Sequence, residues 1–148
     1  KAEKVGQGFT GAVYRLGDLA IKVPITELNQ VKLGTPKEFQ AQLAMTKQGL
    51  APRPITTKKG EYFIQEYIKT IGSLNDILRK TDLSTQENIE AFTDYIKRYA
   101  SLVRNVHESG YAHFDLNSEN VLITPENELK AIDFAKKRIR LTFASYVL

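Results

Sequence analysis

A glycine-rich stretch, a lysine, two aspartates and an asparagine follow one another in this chain in an order that suits phosphoryl transfer from ATP. Val5-Gly6-Gln7-Gly8-Phe9-Thr10-Gly11-Ala12-Val13-Tyr14 leads to Ala20-Ile21-Lys22. Far downstream come His113-Phe114-Asp115-Leu116-Asn117-Ser118-Glu119-Asn120 and then Ile132-Asp133-Phe134. Glycines without Cβ let backbone amides approach phosphate oxygens. A lysine on the next strand can hold those oxygens, one aspartate can orient an attacking hydroxyl, and an asparagine with a second aspartate can hold magnesium. Order and spacing carry this reading, because each piece alone has an ordinary alternative.

The glycine pattern also serves dinucleotide binding when a helix follows it. Here β-prone Ala12-Val13-Tyr14 follows, so a hairpin is expected, whether a phosphate flap or an ordinary glycine-rich turn. Strand alternation puts Ala20 and Lys22 on one face, opposite Ile21 and Val23. A lysine there is costly to bury without a partner, and the alternative is an outward-facing one. Its natural partner is an acid on the following helix: Glu38, with Glu27 as the rival. Glu38 is also the third residue after Thr35, where a capping-box glutamate reaches back to the cap. Asp115 and Asn120 precede apolar Val121-Leu122-Ile123, so their loop leads into a buried strand and can aim both side chains into one cleft. Acidic turn residues beside a hairpin are the bland alternative for Asp115 and Asp133. His113 reads as a structural hydrogen-bonding residue and His107 as a helix-end residue.

These residues need a scaffold. Residues 1 to 24 read as strand, glycine turn, strand, and a third strand Leu19 to Val23 ended by Pro24. A helix is expected over 36 to 48, capped by Thr35, with Pro36 at its first position and Gly49 as its stop. Tyr62 to Ile68 is β-prone, after the turn-like Lys58-Lys59-Gly60. Beyond Gly72 a short helix is expected from Ser73 to Arg79. Ser84-Thr85-Gln86-Glu87 reads as a capping box opening a long amphipathic helix, with Ile89, Phe92, Ile96, Tyr99, Leu102, Val103 and Val106 on its apolar side and Gly110 at its end. Val121 to Thr124 and Leu129 to Ile132 form a hairpin turning at Pro125-Glu126-Asn127.

At 148 residues the chain suits one domain or two small lobes sharing a cleft. It has no apolar run long enough to span a membrane, and no signal peptide is expected. With no cysteine and two histidines, disulfides and thiolate or histidine-rich metal sites are excluded. The net charge of +4 includes a cluster at Lys136, Lys137, Arg138 and Arg140. That cluster is either a solvated face or a docking patch for an acidic protein. Nucleic acid is not expected, since no aromatic residues interleave those charges.

Together, Val5 to Phe134 resemble a protein-kinase-like fold. The resemblance implies an α+β, two-lobed architecture: an antiparallel-sheet N-lobe over 1–71, and a reduced helical C-lobe over 72–148 without activation segment or late helices. The two together make one kinase-like domain using ATP and Mg2+. Gly6, Gly8 and Gly11 would cover the phosphates, with Val13 and Ala20 beside the nucleotide. Lys22 would hold the α- and β-phosphates and pair with Glu38. Gln65 would be the gatekeeper, and Glu66 and Ile68 would offer backbone hydrogen bonds to adenine. Asp115 would be the catalytic base, with Asn120 and Asp133 as magnesium ligands.

Departures from the family pattern sharpen the resemblance. Phe114 stands where regulated kinases carry an arginine that clamps a phosphorylated loop. Asn117 replaces the catalytic-loop lysine that steadies the γ-phosphate, and Ala135 the glycine after Asp-Phe. The chain ends at Leu148, so loop phosphorylation is not the expected switch; it starts at Lys1 rather than Met, so a longer natural protein is expected. This plan resembles small type III-secreted effector kinases that pathogenic bacteria inject into host cells. The implication is a monomeric serine/threonine kinase, secreted into the host cytoplasm and acting on host signalling or chaperone proteins. Its activator would be ubiquitin or a ubiquitin-conjugating enzyme charged with ubiquitin. The alternatives are a pseudokinase-like binding module and a small-molecule phosphotransferase resembling the aminoglycoside and choline kinases.

Overall fold

Three antiparallel strands open the chain: β1 (Glu3–Gln7), β2 (Ala12–Leu16) and β3 (Leu19–Val23). The structure is a computed structural model, and it describes residues 1–7, 11–25, 33–111, 113 and 116–134. Helix α1 (Pro36–Lys47) follows, then β4 (Pro54–Lys58) and β5 (Tyr62–Glu66), which complete a five-stranded sheet in the order β1-β2-β3-β5-β4. Val13 lies opposite Lys22, Lys22 opposite Phe63, and Ala20 opposite Gln65. Directly opposed residues share a face of a pleated sheet, so these five side chains look the same way.

Helix α1 starts and stops where local chemistry dictates. Thr35 is extended and its hydroxyl accepts the Glu38 N–H, while Pro36 occupies the first turn, where an N–H has no helical partner. At the other end Gly49 adopts φ +73°, and the Leu50 and Gly49 amides return to the carbonyls of Met45 and Thr46. That pair of bonds is the glycine-terminated stop in which the freed carbonyls are satisfied by the chain turning back.

Strand β4 was not expected from the sequence. Pro54, Thr56 and Thr57 give it little apolar alternation, and it forms as the outer strand against β5, where a proline at the strand start costs no ladder bond. Strand β5 ends at Glu66, short of the β-prone run to Ile68, because the Tyr67 amide goes to the Asp18 carbonyl instead.

The second half holds β6 (Gly72–Ser73), α2 (Leu74–Lys80), α3 (Gln86–Glu108), a 3-10 turn (Ser118–Asn120), and the hairpin β7 (Val121–Ile123) with β8 (Leu129–Ala131). Strands β6, β7 and β8 form a small antiparallel sheet. Ser73 caps α2 with a reciprocal box involving Asp76. The cap of α3 is Thr85, not the Ser84 of the expected box: Thr85 accepts the Asn88 N–H, while Ser84 is drawn to the Asp82 carboxylate. Of the expected apolar face of α3, Leu102 and Val106 are buried, whereas Ile89 and Ile96 are exposed. One buried cluster joins Met45 of α1, Leu74 of α2, Val106 of α3 and Val121, Ile123 and Ala131 of the hairpin. It anchors α1 and the hairpin, two of the elements that position the site, to one base.

Candidate active site

Below the first hairpin the five-stranded sheet faces a cleft of about 240 Å3. From the sheet, Val13, Ala20, Lys22, Phe63 and Gln65 line it, all from the one face set by the strand register. Gly6 and Gly11 border it above, Glu38 and Gln42 from α1, and Asn120, Ile132 and Asp133 from below. Nine of the sequence-predicted positions therefore meet: Gly6, Gly11, Val13, Ala20, Lys22, Glu38, Gln65, Asn120 and Asp133. Gly8 and Asp115 lie outside the described residues, as do Glu27, Phe114, Ala135 and the basic cluster at 136–140. Glu66 and Ile68 do not line this cleft; they border a shallower groove with Lys69 and Glu126.

Lys22 is committed to Asp133. Its Nζ lies 2.8 Å from Asp133 Oδ1, with both side chains mostly buried. Asp133 itself sits at φ +62°, in the left-handed region that only a few residue types besides glycine enter readily, aspartate among them. The expected Lys22–Glu38 ion pair is not made among the described residues. Glu38 instead accepts the Gly34 N–H at 2.7 Å, one residue before the cap.

Glu38 is 3% exposed, and burial raises its pKa to about 7, against the pull of the Lys22 charge and the Gly34 N–H. The folded carboxyl thus keeps its proton where the unfolded one has lost it. The stability that Glu38 contributes should therefore be fully present below pH 4.5 and be lost as pH rises to about 7. The loss should be on the order of 3 kcal/mol. Melting temperatures measured from pH 5 to 8 should show this decline flattened in Glu38→Gln; an identical pH profile in both proteins would refute it.

The lower wall is held by its own polar frame. Asn117 Oδ1 accepts the amides of Glu119 and Asn120 and so caps the turn that carries Asn120. The Ile132 amide goes to the Asn120 carbonyl, and His113 Nε2 meets the Ile132 carbonyl at 2.8 Å. The His113 ring also lies 4.6 Å from that of Phe134. Tyr99 of α3 donates its hydroxyl to the Leu116 carbonyl. These bonds fix Asn120 and Asp133 relative to each other across two different loops.

The protein kinase domain family matches residues 1–139. The chain belongs to that family. This kinase domain is 38% identical over 80 residues to maternal embryonic leucine zipper kinase of Xenopus laevis, covering 54% of this chain and 12% of the relative. It is 27% identical over 139 residues to mitogen-activated protein kinase kinase kinase dlk-1 of Caenorhabditis briggsae, covering 93% of this chain and 16% of the relative. It is also 27% identical over 139 residues to serine/threonine-protein kinase STE20 of Saccharomyces cerevisiae, covering 88% of this chain and 14% of the relative. The chain thus spans under a fifth of the length of these relatives. The α+β arrangement, with its antiparallel five-stranded sheet, is a reduced form of the kinase-like fold. Among the described residues no helix is long and apolar enough to cross a membrane.

Gln42 is one of four cleft residues that sequence reasoning missed, with Gln7, Phe63 and Ile132. A signal was available for Gln42, since it follows Glu38 by one helical turn and so shares its face. It is buried, and its amide reaches both the Pro52 carbonyl and Gln65.

Proposed function

We propose that this kinase domain transfers the γ-phosphoryl group of ATP to serine or threonine side chains of proteins. The observation that carries the proposal is the convergence of Lys22, Asn120 and Asp133 on one cleft under the glycine hairpin. Among the described residues no group of three acidic, histidine or cysteine side chains gathers as a metal cage. The oxygens of Asn120 and Asp133 nonetheless suit Mg2+, which keeps several waters and takes phosphate oxygens as its remaining ligands. Bound there, the ion would offset phosphate charge as the transferring group develops it.

Lys22 adds a fixed cation beside the phosphates, and the hairpin bearing Gly6, Gly8 and Gly11 covers them. Asp115 holds the substrate hydroxyl and takes its proton as the oxygen attacks phosphorus. The bond to the bridging oxygen breaks, and ADP leaves with that electron pair. Most of the acceleration is positional and electrostatic. The name of the STE20 relative supports a serine/threonine protein kinase class, and that of the dlk-1 relative a protein kinase.

A role as a secreted bacterial effector, with a ubiquitin-charged conjugating enzyme as activator and a monomeric state, rests on the residue pattern: the aromatic Phe114 between His113 and Asp115, and Asn117 two residues on. Phosphate transfer from labelled Mg-ATP into a host-cell lysate, with and without charged conjugating enzyme, tests both levels. Labelled proteins that disappear in Asp115→Ala are expected, with stronger labelling when the activator is added. ATP binding without Asp115-dependent label would make this a nucleotide-binding module. Label that ignores the activator would remove the ubiquitin reading alone.

A further inference from the structure

A buried amide chain behind the cleft has no part in the transfer chemistry. The Pro52 carbonyl can only accept a hydrogen bond, and the Gln42 amide atom 2.9 Å from it must therefore be the nitrogen, Nε2. That same nitrogen lies 2.7 Å from the terminal amide of Gln65. A donor must face an acceptor, so the Gln65 atom there is Oε1. Gln42 is 1% exposed, so its amide depends on these two partners. The backbone of Pro52 thus sets the orientation of Gln42, and Gln42 sets that of Gln65.

What remains is the Nε2 amide of Gln65, two N–H donors with no hydrogen-bond partner among the described residues, on a side chain that lines the cleft. Gln65 sits directly across the sheet from Ala20, whose small side chain leaves room beside it. An adenine edge carries an acceptor at N7 next to a donor at N6. A glutamine with both atoms available matches that pair; here the oxygen already accepts from Gln42, and the nitrogen, which carries the donors, is the atom that matches N7. Guanine offers acceptors at both N7 and O6.

We propose that Gln65 is a specificity-determining residue that donates to N7 of a bound purine, with Gln42 and the Pro52 carbonyl holding its donor toward the base. The inference rests on the cleft being the nucleotide site, and it adds which edge of the base is read and by which atom. Left without that acceptor, a half-buried amide donor loses its water and gains nothing in return.

Binding of Mg-ATP and of its 7-deaza analogue, in which a C–H replaces N7, tests the proposal on the unmodified protein. The analogue should bind about three- to tenfold more weakly, the range of one net hydrogen bond. Gln65→Met should bind both nucleotides alike, and Gln42→Leu should reduce the discrimination by freeing the Gln65 amide to rotate. Equal affinity of the native protein for the two nucleotides overturns the proposal while leaving the site reading intact, as does discrimination that persists in Gln65→Met. Failure of the native protein to bind either nucleotide overturns the site reading and this inference together.

Discussion

Replacing Asp133 with asparagine should lower phosphoryl transfer by on the order of a thousandfold while leaving the fold in place. The choice of asparagine matters because Asp133 sits at φ +62°. Asparagine tolerates that backbone region and alanine does not, so only the asparagine variant separates charge from strain. The variant removes the carboxylate proposed to hold Mg2+ and releases Lys22 from its 2.8 Å contact. Because both groups retain some access to solvent, losing the pair should cost stability by only about 1 kcal/mol. Turnover at saturating ATP, measured over a magnesium titration, should be depressed throughout and should require more metal. Activity within tenfold of the native protein would remove Asp133 from the proposed mechanism, and the asparagine variant's melting temperature checks that the loss is not unfolding.

The largest effect on stability is expected at Gly34, well away from the glycine hairpin. A Cβ built there would lie 2.6 Å from Thr57 Oγ1, 2.7 Å from the Tyr62 carbonyl and 2.9 Å from the Lys58 carbonyl. Two of those atoms are backbone and belong to the β4–β5 hairpin, so they cannot give way independently. The residue also holds φ +73°, and its amide is the one that binds Glu38. Alanine should therefore cost about 3 kcal/mol or more, a large part of the roughly 5–15 kcal/mol that holds a domain together. For a chain of this size that is a fall in melting temperature of about 6–12 °C. Gly49 is the control, since it has the same φ of +73° but nothing within 4 Å of its Cβ position. Gly49→Ala should lose only about 1–2 kcal/mol, the conformational part. Equal losses at the two positions would show that the contact with the β4–β5 hairpin carries no weight.

Local chemistry was legible along most of the chain. The ends of α1, the short helix beginning at Ser73 and the turn between β7 and β8 are each set by a few neighbouring residues: a hydroxyl that caps, a glycine that turns back, a proline with no amide to satisfy. Strand β4 was not legible, because an outer strand of one proline and two threonines among its five residues is defined by the partner it pairs with rather than by its own pattern. The start of α3 was misplaced by one residue because Ser84 and Thr85 both suit a cap, and the nearby Asp82 carboxylate decides between them.

The candidate site divides along the same line. Sequence alone determined which residue types could handle a phosphoryl group and in what order, and strand alternation already put Ala20 and Lys22 on one face. Which carboxylate Lys22 meets could not be read, because its partner Asp133 is 111 positions away and the choice depends on where α1 sits. The tertiary structure decided it: the Gly34 amide holds the buried Glu38, leaving Lys22 to Asp133. The Gln42–Gln65 pair was equally invisible, since two polar residues 23 positions apart carry no shared period. Sequence periodicity specifies which side chains share a face, a property of one helix or strand. Which two faces then meet, and which donor reaches which acceptor, depends on packing between elements far apart in the chain.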